Sequence, residues 1–362
     1  MSRSFGLPSH ANAHEQLSKA YPPNPGPQPL PPGAAGRATA AQLGINESQP
    51  LTFFVIGDHG GVKAPGPQNA VSYAMQRAAA PAPAFVYSVG DLVYFHGEAG
   101  QYSPQFYEPY GHLAAPIVAI PGNHDGDVAE DDSGNPTGRQ PLDTFMANFC
   151  TQAPQVPPGD PQLEFGRHTQ TQPWCDWTLE LAAVTIIGLY SNVPEGGIFQ
   201  TSQTDWLVSE LQAAPTDRPV IVTLHHPPLS VDAHHGGSPR MVTALTQGFQ
   251  SAQRWPQLIL TGHVHDYQRF TWELGGHSIP TIVIGNSGYH NLHQLASDAK
   301  PGLKVAPGVT FEFGEASEYG FLTLTVSAGT ITGSYTGVKP GVMPDGSDAA
   351  VSAGKDTFTT QP

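Results

Sequence analysis

Five short segments of the sequence carry side chains that can bind metal ions. Their carboxylates, imidazoles, amide and phenol are donor groups that iron, zinc and manganese take in proteins. In chain order the segments are Gly57-Asp58-His59-Gly60, Gly90-Asp91-Leu92-Val93-Tyr94, Gly122-Asn123-His124-Asp125, His225-His226 and Gly262-His263-Val264-His265. Each segment alone is more typical of a turn or a hydrogen-bonded pair than of a metal site. Together they indicate one site, because all five follow a predicted strand.

The strands that must position these segments are apolar runs closed by Gly and polar residues. The runs predict strands at 52–56, 84–89, 117–120, 179–189, 220–224, 258–260 and 281–284. A helix-compatible stretch at 68–80 lies between the first two runs, and this alternation predicts an α/β fold with buried strands. Residues 321–337 alternate around a Gly turn and predict a hairpin, and 355–360 predict one more strand. In such a sheet, side chains beyond the carboxyl ends of the strands meet in one crevice.

The order and type of the five segments resemble the calcineurin-like metallophosphoesterases and, among them, the purple acid phosphatases. The superfamily at large has Asp-X-His first and a polar residue three positions after the second Asp. Gly60 and Tyr94 stand at those two positions here, as in the purple acid phosphatase motifs GDxG, GDxxY, GNH followed by Asp or Glu, VxxH and GHxH. The chain has GDHG, GDLVY, GNHD, VTLH and GHVH. The resemblance covers about residues 51–337, and the spacing is most similar to the short, single-domain animal-type enzymes.

The resemblance implies the fold and the activity. The expected architecture is a four-layer αββα sandwich, in which helices flank two central mixed β-sheets. The Pro-rich segment 1–48 is expected to form an N-terminal arm, and 49–361 to form a single catalytic domain. The implied activity is that of a binuclear-metal acid phosphatase, which hydrolyses phosphate monoesters by attack of a metal-bound hydroxide.

The resemblance also divides the predicted ligands between two ions. Three oxygen anions and one imidazole form a hard, electron-rich set that suits Fe³⁺; they come from Asp58, Asp91, Tyr94 and His265. A neutral set suits divalent Fe, Zn or Mn, with one Asp91 oxygen as the bridge; it comes from Asn123, His225 and His263. The three anionic side chains leave a net charge of about +2 on the two ions, which attracts a phosphate dianion.

Three further histidines are predicted to act on the substrate. His124 follows a predicted ligand and is expected to stabilise charge or to act as a general acid, with Asp125 fixing its tautomer. The family places substrate-contacting histidines at the positions of His234 and His235, and His234 is the preferred proton donor to the leaving group. We expect His59 and His226 to be structural and His290 and His293 to lie at the surface.

Two alternatives remain open at this stage. The first is a metallophosphodiesterase on the same fold, acting on cyclic nucleotides or phospholipid headgroups. Tyr94 argues against it, because two divalent ions gain little from a phenolate. The second is a non-catalytic metal-binding or interaction protein, which the complete set of seven ligands disfavours.

The charge and composition of the chain limit the classes of molecule that it is expected to bind. The net charge of −15 and the isoelectric point near 5.4 give no basic face for nucleic acid or anionic lipid, so the expected partner is a small phosphate ester. No apolar run reaches the length that spans a membrane, and the N-terminal residues do not predict a signal peptide. The compartment, the oligomeric state, the second metal and the pairing of Cys150 with Cys175 stay open.

Overall fold

The computed structural model describes residues 36–78, 82–127, 137–193 and 195–360. The strands are β1 (Arg37–Thr39), β2 (Leu51–Ile56), β3 (Val86–Ser88), β4 (Ile117–Ala119), β5 (Trp177–Glu180), β6 (Thr185–Leu189), β7 (Val220–Leu224), β8 (Leu258–Thr261), β9 (Tyr267–Leu274), β10 (His277–Ile284), β11 (Leu303–Ala306), β12 (Val309–Glu315), β13 (Tyr319–Ser327), β14 (Thr330–Lys339) and β15 (Ala350–Thr359). The α-helices are α1 (Gly66–Arg77), α2 (Glu108–Tyr110), α3 (Asn123–Gly126), α4 (Asp143–Phe149), α5 (Thr201–Ala213) and α6 (Pro239–Ala252). A π-helical turn, Ser103–Tyr107, leads into α2.

The strands form two mixed sheets. The larger has the order β1-β5-β6-β7-β8-β10-β9-β12-β11, and the smaller has the order β15-β14-β13-β2-β3-β4. Strands β2, β3 and β4 run parallel in the smaller sheet, and β6, β7 and β8 run parallel in the larger one. In each sheet the parallel strands therefore have their carboxyl ends on the same side, where polar side chains can meet.

The two sheets pack face to face through a shared apolar core. In β2, Phe53 and Val55 enter this central core, whereas Phe54 and Ile56 face the other side of the sheet. Both sides are buried, so β2 is a continuous apolar run, as expected of a strand covered on two faces. In β7, Ile221 likewise joins the central core while its neighbours face outward.

Helices cover the outer face of each sheet. Helix α1 packs Val71 and Met75 into the core outside the smaller sheet. Helix α6 packs Leu245 and Phe249 into the core outside the larger sheet, four residues apart on one helical face. Its N-terminus is capped by Ser238, whose hydroxyl accepts the Met241 N–H. The resulting four layers confirm the predicted αββα sandwich.

Three details differ from the predictions. The predicted strand 179–189 is in fact the antiparallel pair β5 and β6, with a turn closed by the Leu181 N–H and the Val184 carbonyl. Strands β9, β11 and β12 were not predicted. Residues 37–39 of the predicted arm pair with β5, and Leu43 and Ile45 enter the central core; residues 1–35 of that arm lie outside the described part.

Within the described ranges, no disulfide joins Cys150 to Cys175. No helix described is long and apolar enough to cross a membrane.

Candidate metal centre

The seven predicted ligands meet where the parallel strands of both sheets end. The smaller sheet contributes Asp58 after β2, Asp91 and Tyr94 after β3, and Asn123 after β4; the larger contributes His225 after β7 and His263 and His265 after β8. Three of these residues have left-handed backbone conformations, with φ of 52° at Asp58, 54° at Asp91 and 68° at His263. Such values are uncommon outside glycine and concentrate at functional sites. The chain turns at these positions and directs the side chains into the crevice.

One side of the crevice is formed around the Tyr94 hydroxyl. Its oxygen lies 3.4 Å from Oδ1 of Asp58 and 3.4 Å from Nε2 of His265. The same Nε2 lies 3.5 Å from Asp58 Oδ1. Three potential ligand atoms thus face one another, in the anion-rich set predicted to hold Fe³⁺.

The other side is formed around the amide oxygen of Asn123. This oxygen lies 3.1 Å from Nε2 of His225 and 3.0 Å from Nδ1 of His263. Nε2 of His225 is also 3.3 Å from Oδ2 of Asp91 and 4.0 Å from Oδ1 of Asp58. Asp58, Asp91 and His225 each offer one ligand atom within 4.8 Å of the others. The two sides therefore adjoin at the two aspartates.

Backbone carbonyls fix how two of the histidines point. The Val89 carbonyl oxygen lies 2.9 Å from Nδ1 of His225, and the Asn291 carbonyl oxygen lies 3.0 Å from Nδ1 of His265. A carbonyl accepts, so each Nδ1 carries a proton and Nε2 is the nitrogen that faces the crevice. A metal ion in the crevice would bind this Nε2 and displace any proton on it.

Burial of the acidic groups has electrostatic consequences. Burial raises the pKa of Asp58 well above its ordinary value, and the neighbouring Asp91 raises it further. Burial and both aspartates also raise the pKa of the Tyr94 phenol. Burial opposes a charged His225, yet Asp91 and Asp58 raise its pKa to about 9. Buried oxygen donors that repel one another's charge fit a site for cations, which would favour their ionised forms.

Comparison with known proteins decides the family. The sequence profile described as calcineurin-like phosphoesterase matches residues 51–267, more than half of the chain. The chain belongs to the calcineurin-like phosphoesterase family. No curated protein matches the sequence significantly.

Solved structures share the fold of this chain. A purple acid phosphatase, PPD1, from yellow lupin (Lupinus luteus) seeds is 17% identical with a TM-score of 0.59, and the match covers 86% of this chain and 54% of that one. GAP50, described as the anchor in the inner membrane complex of Plasmodium, is 14% identical with a TM-score of 0.54 over 86% and 88%. PhoD is 14% identical with a TM-score of 0.52 over 86% and 69%. The chain thus spans about half the length of the lupin enzyme.

Gly60 provides the space that the Tyr94 side chain occupies. A Cβ at residue 60 would lie 2.7 Å from Oε1 of Gln105 and 2.8 Å from Cδ2 of Tyr94. Gln105 holds Tyr94 in place, since it accepts the Tyr94 N–H at 3.0 Å and donates to the Tyr94 carbonyl at 2.7 Å. A side chain at residue 60 and a tyrosine at residue 94 therefore exclude each other.

We expect Gly60→Ala to displace Tyr94 and to destabilise the protein by about 1–3 kcal/mol, the usual cost of overpacking. Thermal unfolding and iron binding of the purified variant measure the two effects. Gly100→Ala is the control, because nothing lies within 4 Å of a Cβ built there. Equal stability and iron binding in the two variants would contradict this account of Gly60.

The structure corrects the predicted partner of His124. Its Nδ1 lies 2.7 Å from the Phe95 carbonyl oxygen, which fixes the tautomer in place of Asp125. The Asp125 carboxylate instead accepts the backbone N–H groups of Leu92 and Gly122, and burial together with Asp91 raises its pKa to about 7. Asp125 therefore shapes the loop that carries two predicted ligands. The backbone N–H of His124 donates to Asp91 Oδ1 at 3.0 Å.

The remaining predicted histidines occupy distinct places in the structure. The ring of His235 lies 5.0 Å from that of His263, whereas His234 is exposed and its ring lies 5.4 Å from that of His293. His293 was predicted at the surface, and this is wrong: it is only 6% exposed, and its ring lies 4.5 Å from that of His265. It is buried because it packs over the crevice.

His59 and His226 are buried beside serine hydroxyls. Nε2 of His59 lies 2.9 Å from the Ser88 hydroxyl, and burial lowers its pKa to about 3. Nδ1 of His226 lies 2.8 Å from the Ser191 hydroxyl. Both rings are therefore neutral parts of the packed interior, which agrees with the structural role expected for them.

Two residues at the crevice were missed. Glu195 lies in the loop after β6 and approaches His235 and His263. The ring of Tyr289, in the loop after β10, stacks on that of Tyr94 with centroids 4.1 Å apart. The available signal was positional, since both loops follow strands of the larger sheet.

Proposed function

We propose that this phosphoesterase is a phosphatase of the purple acid type that hydrolyses phosphate monoesters. Fe³⁺ would be held by Asp58, Asp91, Tyr94 and His265, and a divalent Fe, Zn or Mn ion by Asn123, His225 and His263 with Asp91 shared. The observation that carries the proposal is the Tyr94 hydroxyl, which faces an aspartate and a histidine inside the crevice. A phenolate favours a trivalent over a divalent ion.

The residues of the chain divide the work between binding and proton transfer. Two ions in the crevice would activate water for attack on phosphorus and neutralise charge on the phosphoryl oxygens. His124 donates its Nδ1–H to the Phe95 carbonyl, so Nε2 is the atom that can stabilise charge or transfer a proton. His234 and His235 are the candidates for protonating the leaving group, and the ring contact with His263 favours His235.

The comparisons support the proposal at different levels. Family membership supports hydrolysis of phosphoester bonds with bound metals. The similarity to the lupin purple acid phosphatase, at 17% identity, concerns the fold alone. The monoester preference and the iron therefore rest on Tyr94 and on the space that Gly60 leaves for it.

A second candidate is a non-catalytic interaction protein. One protein with the same fold, GAP50, is described as an anchor, and this chain matches 88% of its length. Against this role, all seven donor groups point into one crevice, and His124 and His235 lie beside them. An assay of turnover separates the two functions.

The visible spectrum tests the iron assignment. Iron-loaded protein is expected to absorb visible light through charge transfer from phenolate to Fe³⁺, and Tyr94→Phe is expected to lose that band while keeping its fold. Tyr289→Phe is the matched control, because its ring stacks on Tyr94 and we assign it no ligand role. Absorbance and iron content per chain are measured for all three proteins.

Three outcomes would contradict the proposal. A colourless native protein with two bound irons would indicate two divalent ions and favour a phosphodiesterase. Loss of the visible band in Tyr289→Phe but not in Tyr94→Phe would show that Tyr289, and not Tyr94, supplies the phenolate. No hydrolysis of an aryl phosphate at mildly acid pH, above a chelator-treated control, would favour the interaction protein.

A further inference from the structure

Glu195 lies between two imidazoles of the crevice and belongs to none of the five motifs. Its Oε1 is 3.1 Å from Nδ1 of His235 and 3.4 Å from Nε2 of His263. The carboxylate is about one-quarter exposed, and His263 is buried. One oxygen thus serves as the acceptor for a proposed metal ligand and for a proposed proton donor.

The contact with His263 determines which nitrogen can face a metal ion. Nδ1 of His263 lies 3.0 Å from Asn123 Oδ1, on the side of the divalent site. A neutral imidazole has one N–H, and a carboxylate accepts but does not donate. Both neighbours of the ring are acceptors, and the charged carboxylate of Glu195 is the stronger one, so it holds the proton on Nε2 and leaves Nδ1 and the Asn123 oxygen to face a metal ion. Carboxylates that orient a ligand histidine in this way strengthen metal binding.

The contact with His235 fixes a second ring. The proton on Nδ1 of His235 is donated to Glu195, so Nε2 becomes the atom that can exchange a proton with the substrate. The backbone beneath it is held as well, because the N–H groups of His234 and His235 both donate to Asp232 Oδ2, at 2.9 and 2.6 Å. The ring of His234 has no such carboxylate among its described contacts. The anchored ring is therefore that of His235.

A third cation is the rival explanation for this cluster. The ligand atoms of Glu195, His235 and His263 lie within 4.8 Å of one another. A cation there would bind Nε2 of His263 while Nδ1 faced the neighbouring site, which requires both nitrogens to lose their protons. With a divalent ion shared by Nδ1 and the Asn123 oxygen, a neutral imidazole that keeps its one proton on Nε2 would satisfy both contacts without that step, so the hydrogen-bonded arrangement is favoured.

We propose that Glu195 is a positioning residue that orients His263 toward the divalent site and His235 toward the leaving group. It makes His235, in preference to His234, the proton donor. The part that concerns His235 rests on the proposed phosphatase function. The part that concerns His263 rests only on a divalent ion at the site.

Zinc affinity and tautomers test the His263 part without activity. In Glu195→Ala, we expect zinc affinity, measured by chelator competition on the metal-free full chain, to fall by about 10- to 100-fold. Nitrogen NMR of the histidines should show His263 losing its Nε2–H preference. Glu195→Gln keeps an acceptor oxygen, so we expect it to retain most of the zinc affinity and of the Nε2–H preference of His263. The exposed Glu164→Ala is the control.

Leaving-group dependence tests the His235 part. Glu195→Ala should lower kcat more for aryl phosphates with poor leaving groups than for those with good ones, with KM little changed, and His235→Ala should do the same. If the loss were merely structural, Glu195→Ala would lower kcat equally for all substrates, and Glu195→Gln would not restore it.

Three results would overturn the proposal. Unchanged zinc affinity and tautomers in Glu195→Ala would remove the His263 part. A loss of kcat that is equal across leaving groups would remove the His235 part. Three zinc ions per native chain, reduced to two in Glu195→Ala, would establish the third cation instead. If native protein turned over no phosphate ester, the proposed function would fail, and the zinc and NMR measurements would still decide the role of Glu195.

Discussion

Asp91→Ala is expected to lose nearly all phosphatase activity together with most of its bound metal. The Asp91 carboxylate lies 3.3 Å from Nε2 of His225 through one oxygen and accepts the His124 N–H through the other. Burial raises the pKa of Asp91, but the neighbouring His225 and His124 lower it below its ordinary value, which favours the ionised carboxylate that binding two ions would require. Loss of the bridge should lower kcat/KM on the order of 1000-fold, equivalent to about 4 kcal/mol of transition-state stabilisation.

Metal analysis and turnover of an aryl phosphate measure this effect. Asp205→Ala, an exposed substitution on α5, removes the same charge away from the crevice and should match the native protein. Thermal unfolding of the metal-free forms separates loss of metal from loss of folding. An Asp91→Ala protein that kept two ions and full activity would refute the bridging role.

His124→Ala is expected to keep its metals and colour but to lose turnover by about 100- to 10,000-fold, the range for a lost general acid or base. The reason is that the contact with Asp91 comes from the backbone N–H of residue 124, which alanine retains. Only the imidazole, which the Phe95 carbonyl orients, is removed.

Rates on substrates with poor leaving groups, with metal content determined in parallel, measure the effect of His124→Ala. The exposed His168→Ala is a control for removal of an imidazole. A full rate with intact metal would exclude His124 from the chemistry. Lost metal together with lost rate would instead make it part of the metal site.

The meeting of the seven candidate metal ligands in one crevice was the most predictable feature of the molecule. Each motif consists of a buried strand and the turn that ends it, so both the element and its polar residues are encoded locally. Convergence then follows from the rule that parallel strands end at one edge. The αββα fold itself was inferred through the resemblance, because the pairing of distant strands leaves no local signal.

The errors have physical causes in particular residues. The turn between β5 and β6 is formed by apolar residues such as Leu181 and Ala182, so hydrophobicity did not mark it. His293 lies in a polar stretch, yet it is buried by rings that are distant in sequence. Glu195 contacts histidines 40 and 68 residues away. No local pattern could connect them.

Each of the two proposed ions would take ligands from both sheets. On one side, Tyr94 and Asp58 belong to the smaller sheet and His265 to the larger; on the other, Asn123 belongs to the smaller and His225 to the larger. When both sites hold an ion, the ions would therefore link the two sheets at the polar edge of the sandwich, where apolar packing ends. The free energy of metal binding would then add to the resistance of the whole chain to unfolding. The protein would then resist unfolding most strongly in its metal-loaded form, which is also the form that can act on a substrate.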